Sequence, residues 1–219
     1  MEYKRVGSSC MKISRIGFGC AALSGFDYGR VDERESLRVI RKAWDAGINL
    51  FDTANVYGFG QAEKMLAKAL GRDRYNAFIV TKFGVNWDQS GKTFKDCSSK
   101  SIKKALENSL RRLKIECIPV YMIHWHDGRT PISDIMGVLS DLQKQGKIQY
   151  IGCSNFSREM VEEASAAHKI DCLYLPYSLV LKDNDSNLSA INKTFNVHTI
   201  VYDVLARGLL SGQDSDGVP

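Results

Sequence analysis

The stretch "FDTANVYGFG", residues 51–60, places a carboxylate at Asp52 and a phenol at Tyr57, at the end of an apolar run and just beyond it. Further along, Lys82 stands in "IVTKFG" and His124 in "YMIHWHD". Ser154 and Asn155 follow another apolar run, and Tyr202 and Asp203 fall toward the end of a later one. Each has an ordinary explanation alone: an Asp there caps a helix, a Lys marks a strand edge, a His fills a core. The conjunction points to chemistry. A buried Asp and a buried Lys on neighbouring strands imply an ion pair, because either alone is costly to bury. A phenol titrates at roughly 10, too high for easy proton traffic at neutral pH. A nearby ammonium favours the phenolate. A neighbouring imidazole can hydrogen-bond a carbonyl oxygen and fix its direction. Such a set is suited to protonating a carbonyl oxygen as hydride arrives at carbon. No side chain supplies hydride, so a nicotinamide is implied.

These residues need a frame that brings them together. Seven apolar runs read as strands: 15–20, 48–54, 77–83, 118–125, 150–154, 172–178 and 198–205. Their hydrophobicity is continuous, as in strands buried on both faces of a parallel sheet. Helical segments alternate with them. Residues 32–47 start with Asp32 and Glu35 at capping-box spacing and end at Gly47. Residues 99–114 gather Ile102, Ala105, Leu106, Leu110 and Leu113 on one side. Residues 130–147 read as a helix with Thr130 as N-cap, Pro131 in the first position and Gly146 past the end. Further helices are expected near 61–70, over 157–168 and over 186–195. This alternation implies an α/β fold with a parallel sheet.

Two such folds compete. A doubly wound sheet needs a Gly-rich phosphate turn after its first strand, and Gly17, Gly19 and Gly25 do not have that spacing. The first residues instead read as a hairpin ahead of the first strand. A (β/α)8 barrel of the TIM type, with an N-terminal β-hairpin over its bottom, fits better. Its chemistry belongs at the C-terminal ends of the strands, where Asp52, Lys82, His124 and Ser154 recur.

The bulk composition agrees with one domain spanning residues 1–219, 44% apolar and 25% charged. The 30 basic and 25 acidic residues leave a net charge of +5. Lys103, Lys104, Arg111 and Arg112 read as a solvated helix face, with no dense patch, so nucleic acid is not the expected partner. The six cysteines form no C-x-x-C pair, and no metal site is expected. Cys20, Cys117, Cys153 and Cys172 read as buried, reduced thiols of a cytoplasmic protein. The N-terminus shows no signal-peptide pattern, and no apolar run reaches membrane-spanning length.

With those motifs in place, the sequence closely resembles the aldo-keto reductase family from about residue 3 to residue 212. The likeness runs through "ISRIGFGC", "AWDAGINLFDTANVYG", "IVTKFG", "SLRRLKIECIPVYMIHWHD", "QGKIQYIGCSNFS" and "LARGLLSG". The resemblance implies carbonyl reduction with NADPH, or the reverse oxidation by NADP+, of a small-molecule carbonyl or alcohol substrate. It implies a catalytic tetrad of Asp52, Tyr57, Lys82 and His124, with Tyr57 as general acid. Gly19, Cys20, Asp52, Ser154, Asn155, Tyr174, Tyr202, Leu205, Arg207 and Gly208 fall at its cofactor positions. Ser154 and Asn155 match the pair that bonds the nicotinamide carboxamide, and Tyr202 matches the ring that stacks on it. Tyr57 and His124 would face the substrate, while Trp87 and Trp125, after the third and fourth strands, read either as an apolar wall of the pocket or as helix-packing aromatics.

The sequence also departs from the family. Tyr174 stands where a Gln is usual, and Asp203 and Val204 replace a Ser and a Pro. Family members usually continue for roughly another 80 residues or more, so the eighth βα unit is expected to be lacking. Open strand edges would then promote self-association. These departures motivate a second reading, a weakly catalytic or regulatory relative that keeps the barrel and binds a protein partner.

Overall fold

The structure is a computed structural model of the 219-residue chain, and it describes residues 1–5, 12–25, 29, 31–181, 194–195 and 197–212. The chain opens with an antiparallel hairpin, β1 (Tyr3–Arg5) and β2 (Lys12–Ser14). Next come β3 (Phe18–Gly19), β4 (Leu50–Asp52) and β5 (Phe78–Phe83). A second hairpin follows, β6 (Val85–Trp87) and β7 (Thr93–Lys95). The series ends with β8 (Ile118–Ile123), β9 (Ile148–Ser154), β10 (Cys172–Pro176) and β11 (His198–Tyr202). The seven longer-range strands form one parallel sheet in the order β3, β4, β5, β8, β9, β10, β11. All seven strands read from the sequence are present, in the barrel arrangement expected.

Side-chain alternation sorts each strand into an inner and an outer face. On β5, Phe78 and Val80 join an inner cluster with Leu50, Val120, Met122, Cys172 and Tyr174. Members of that cluster come from β4, β5, β8 and β10, so the sheet is curled around it. Ile79 and Phe83 face outward into a larger core under the helices. Both faces are buried, which is why the runs read as continuous hydrophobicity. The β1–β2 hairpin closes the bottom. Ile13 enters the inner cluster, and the Ser14 hydroxyl accepts from the backbone N–H groups of Asn49 and Leu50.

Among the described residues, five α-helices pack outside: α1 (Glu33–Asp45), α2 (Gln61–Leu70), α3 (Ser99–Leu113), α4 (Ile132–Lys144) and α5 (Arg158–Ala167). Asp32 caps α1 by accepting from the Glu35 N–H. Ser98 and Ser157 do the same for α3 and α5. The start of α4 corrects the sequence reading. Pro131 is extended, with φ −53° and ψ 135°, and is itself the N-cap residue. Thr130 turns its hydroxyl to Asp127 Oδ2 instead. Asp127 also accepts N–H groups from Cys97, Arg129 and Thr130, and these backbone bonds overcome burial to hold its carboxyl well below the usual range.

Two further readings change. Arg112 is not part of a solvated face: its side chain is 14% exposed and its guanidinium sits 2.5 Å from Glu63, which has no exposed surface. Cys117 is exposed, whereas Cys20, Cys97, Cys153 and Cys172 are buried and unpaired. The helix expected over 186–195 lies outside the described residues, apart from Thr194 and Phe195. No helix among the described residues is long and apolar enough to cross a membrane.

Candidate active site

Asp52 ends β4, Lys82 is the penultimate residue of β5, and His124 directly follows β8. Lys82 has the same parity as Phe78 and Val80, so it points inside. The same alternation carries Asp52, His124, Ser154, Tyr174 and Tyr202 toward the interior. One rule of strand geometry thus converges groups that are far apart in sequence.

Lys82 Nζ is the hub. It lies 2.6 Å from Asp52 Oδ1, 2.9 Å from the Thr53 carbonyl oxygen and 3.4 Å from the Tyr57 hydroxyl. It also stands over two phenol rings, 5.0 Å from the Tyr57 centroid and 5.6 Å from that of Tyr174. The Lys82 side chain is 3% exposed and that of Asp52 is 23% exposed. Burial works against the ammonium, but Asp52 and Tyr57 outweigh it and hold Lys82 charged above its ordinary range. Burial raises Asp52, and Lys82 pulls in the other direction.

Tyr57 is set by an unusual turn. Gly58, Phe59 and Gly60 all have positive φ, at 54°, 55° and 89°. A side chain at Gly58 would run into Ser24, and one at Gly60 would meet Arg112 Cδ at 2.6 Å. The turn is therefore clamped from both sides, and Phe59 packs its ring on Trp87, 5.3 Å away. The clamp rests on the buried Glu63–Arg112 pair, to which the Thr81 hydroxyl adds a 2.6 Å bond at Glu63 Oε1. Sequence reasoning missed Glu63 and Arg112. The available signal was an acid inside the apolar period of α2.

His124 completes the group. Burial, with the Lys82 charge adding to it, lowers its pKa to about 3, so it is a neutral imidazole across the physiological range. Its Nδ1 is buried without a hydrogen-bond partner.

The other expected residues divide into those that gather here and those that do not. Ser154 and Asn155 lie at the end of β9. Asn155 has φ 60°, its Nδ2 donates to the His124 carbonyl oxygen and to Ser154 Oγ, and its Oδ1 accepts from the Tyr202 hydroxyl at 2.7 Å. Cys20 is fully buried, and its backbone N–H donates to the Asp52 carbonyl oxygen. Gly19 pairs with Asp52 across the sheet. Leu205 is the N-cap of a short 3₁₀ segment after β11 (Ala206–Ser211) that contains Gly208, and the Gly208 N–H donates to the Leu205 carbonyl oxygen. The Arg207 side chain lies outside the described residues. Trp87 is on β6, and Trp125 is 42% exposed with Lys95 Nζ 4.6 Å over its ring. His126 is a loop residue: its Nε2 lies 2.7 Å from the Thr130 carbonyl oxygen, and its Nδ1 accepts from the Gly128 N–H.

The arrangement is a phenol, an ammonium–carboxylate pair and a neutral imidazole at one end of a parallel barrel. Known proteins are similar to this chain in sequence and fold. The chain is 35% identical to the aldo-keto reductase YhdN of Bacillus subtilis (strain 168), over 97% of this chain and 65% of that protein. It is 34% identical to the aldo-keto reductase yakc [NADP(+)] of Schizosaccharomyces pombe, over 91% of this chain and 60% of the relative. The chain thus spans less than two thirds of the length of these two curated relatives. Its fold superposes on the glycerol dehydrogenase AKR11B4 of Gluconobacter oxydans with a TM-score of 0.91 at 33% identity, covering 99% of this chain and 68% of that one. The aldo/keto reductase family profile matches residues 15–219, and by that match together with these relatives the chain belongs to the aldo/keto reductase family.

Proposed function

We propose that the protein reduces aldehyde or ketone carbonyls to alcohols, or runs the reverse, with a nicotinamide nucleotide as hydride carrier. The observation that carries this reading is the hub geometry, with Lys82 Nζ 2.6 Å from Asp52 and 3.4 Å from the Tyr57 hydroxyl. Tyr57 is the general acid that gives its proton to the carbonyl oxygen. Lys82 stabilises the phenolate left behind, and Asp52 keeps Lys82 charged and in place. His124, neutral, donates a hydrogen bond to the same oxygen and fixes its direction. Trp87 and Trp125 provide apolar walls for the substrate.

The residues present fit a nicotinamide. A cavity of about 590 Å³ runs between β3 and β11 from the N-terminal hairpin up to Asp52, where Gly19, Tyr174, Tyr202 and Asp203 line it. A Cβ at Gly19 would meet nothing within 4 Å, so that wall is open to a flat ring. Tyr202 offers an aromatic face, and Ser154 and Asn155 offer amide and hydroxyl groups. Cys20 contributes by fixing the end of β4. Leu205, Arg207 and Gly208 would hold the diphosphate side. When bound, the nucleotide supplies the hydride. The name of the Schizosaccharomyces pombe relative specifies NADP(+), which favours NADPH here.

The test is carbonyl-dependent oxidation of NADPH by the purified protein, run beside a titration of tryptophan fluorescence with the same nucleotide. A protein that binds NADPH yet oxidises none of it across a panel of aldehydes and ketones would remove the reading.

A further inference from the structure

Tyr174 is the buried group that the proposed chemistry does not use. It sits in β10, in register with Ser154 of β9 and Ile200 of β11. β10 and β4 are not neighbours, since three strands separate them in the sheet. Tyr174 nevertheless reaches the Asp52–Lys82 pair, because the sheet curls and both side chains face inward. Its ring lies 5.6 Å from Lys82 Nζ, and it lines the same cavity as Asp52. Its residue is 2% exposed, and its hydroxyl is buried without a well-formed hydrogen bond. Tyr174 and Asp52 line the same cavity, and the hydroxyl and the carboxylate act on each other's titration. A buried phenol oxygen left in this state is costly, and the Asp52 carboxylate is an acceptor in the same cavity. Burial, with the Asp52 charge adding to it, pushes Tyr174 far above the usual phenol range. It therefore keeps its proton and donates.

We propose that Tyr174 is a positioning residue for the Asp52–Lys82 pair: its hydroxyl, carried across the interior from β10, restrains the carboxylate oxygen that Lys82 does not occupy. The consequence is geometric. Lys82 binds Oδ1 of Asp52, the Thr53 carbonyl oxygen and the Tyr57 hydroxyl at once. If Asp52 turned, Lys82 would follow it away from Tyr57, since the Asp52 contact is the shorter one. Tyr174 pins the far side. This role rests on the reading of Tyr57 as general acid. The groups facing the pair are Cys20 after β3, Tyr57 and Thr53 after β4, His124 after β8, and Tyr202 with Asp203 at β11. Of these, Cys20 donates its backbone N–H to the Asp52 carbonyl oxygen and Tyr202 donates its hydroxyl to Asn155.

The deciding measurement is the titration of the Asp52 side-chain carboxyl by carbon-13 NMR, with Asp52→Asn to assign the signal. No turnover is needed, so failure of the reductase reading leaves this result interpretable. In Tyr174→Phe, which keeps the ring, the midpoint should rise by about one pH unit, the effect of losing one hydrogen bond to a charged group. Replacing Tyr174 by 3-fluorotyrosine, a stronger donor, should move it down. A carboxylate midpoint unchanged in either folded variant overturns the proposal, and the fluorinated protein decides the matter if Tyr174→Phe does not fold. In the active protein, Tyr174→Phe should lower kcat about tenfold with little change in the KM for the carbonyl. A variant that only loosened the fold would lose stability without moving the Asp52 midpoint.

Discussion

The rings of Tyr57 and His124 meet edge to face, with centroids 5.8 Å apart and planes at 84°. Lys82 approaches the phenol from another side. The phenol is thus held between a charged group that stabilises its anion and a neutral ring that can share a carbonyl oxygen with it. Removing the hydroxyl alone separates these roles. Tyr57→Phe should lower kcat for carbonyl reduction by about 10²–10⁴-fold, the usual range for a positioned general acid. NADPH binding, followed by fluorescence, should stay within a few-fold. Near-normal turnover would show that the proton comes from another group.

The pH behaviour of His124 follows from its pKa of about 3, set by burial and by Lys82. In the unfolded chain it titrates near its ordinary value of about 6.5. Between these values the unfolded state binds a proton that the folded state refuses. Stability is therefore full above about pH 6.5 and declines as pH falls toward 3, by up to about 1.4 kcal/mol per pH unit. His124→Phe should remove this part of the decline. A proton NMR titration should show no change in the His124 ring between pH 5 and 8. A midpoint near 6.5 in the folded protein would contradict the buried neutral imidazole.

Lys82→Met should remove activity and also destabilise the fold. It leaves the Asp52 carboxylate, 23% exposed, without its cation. Breaking a buried pair costs about 3–5 kcal/mol, and the partial exposure of Asp52 favours the lower end. The midpoint of chemical denaturation reads the effect. An unchanged midpoint would mean that solvent already screens the pair.

The strands, and the convergence of Asp52, Tyr57, Lys82 and His124, were legible because parallel burial leaves an unbroken apolar signature, and because the polar exceptions fall at or just beyond strand ends. What stayed hidden depends on contacts between distant segments. The β6–β7 hairpin carries a polar turn in which Asp88 accepts from the N–H groups of Ser90 and Lys92, and its strands of three residues are too short for a periodic signal. The true cap of α4 depends on Asp127 drawing Thr130 away, with Asp127 also bound to Cys97 30 residues earlier. Arg112 looked like one more cation of a solvated helix, since nothing local reveals that Glu63 lies beneath it.

That hidden pair yields its own expectation. Arg112→Met would leave Glu63 fully buried with only the Thr81 hydroxyl as partner. Stability should fall by about 3 kcal/mol or more. Adding Glu63→Gln should recover part of the loss, because the stranded charge is gone while the amide still bonds Thr81. A double-mutant cycle on melting temperature reads this coupling. Simple additivity of the two substitutions would refute the pairing.

Tyr202 poses the opposite case, a bond that binding should break. Its hydroxyl donates to Asn155 Oδ1 at 2.7 Å, while Asn155 Nδ2 already serves His124 and Ser154. Every polar atom of that amide is engaged within the protein. If the nicotinamide carboxamide approaches Asn155 Oδ1 along the direction that the Tyr202 hydroxyl now takes, Oδ1 must first release Tyr202. One neutral hydrogen bond of about 1 kcal/mol then opposes binding. Tyr202→Phe removes that bond and keeps the ring, so NADPH affinity should rise roughly five-fold. Fluorescence titration of both proteins measures it. Weaker binding in Tyr202→Phe would mean that the hydroxyl itself supports the nucleotide, or that it is needed to keep Asn155 in its left-handed backbone conformation at φ 60°. Replacing Asn155 by Gly, which adopts that φ without strain, separates the two. A further loss from Tyr202→Phe in the Gly background would assign the effect to contact with the nucleotide.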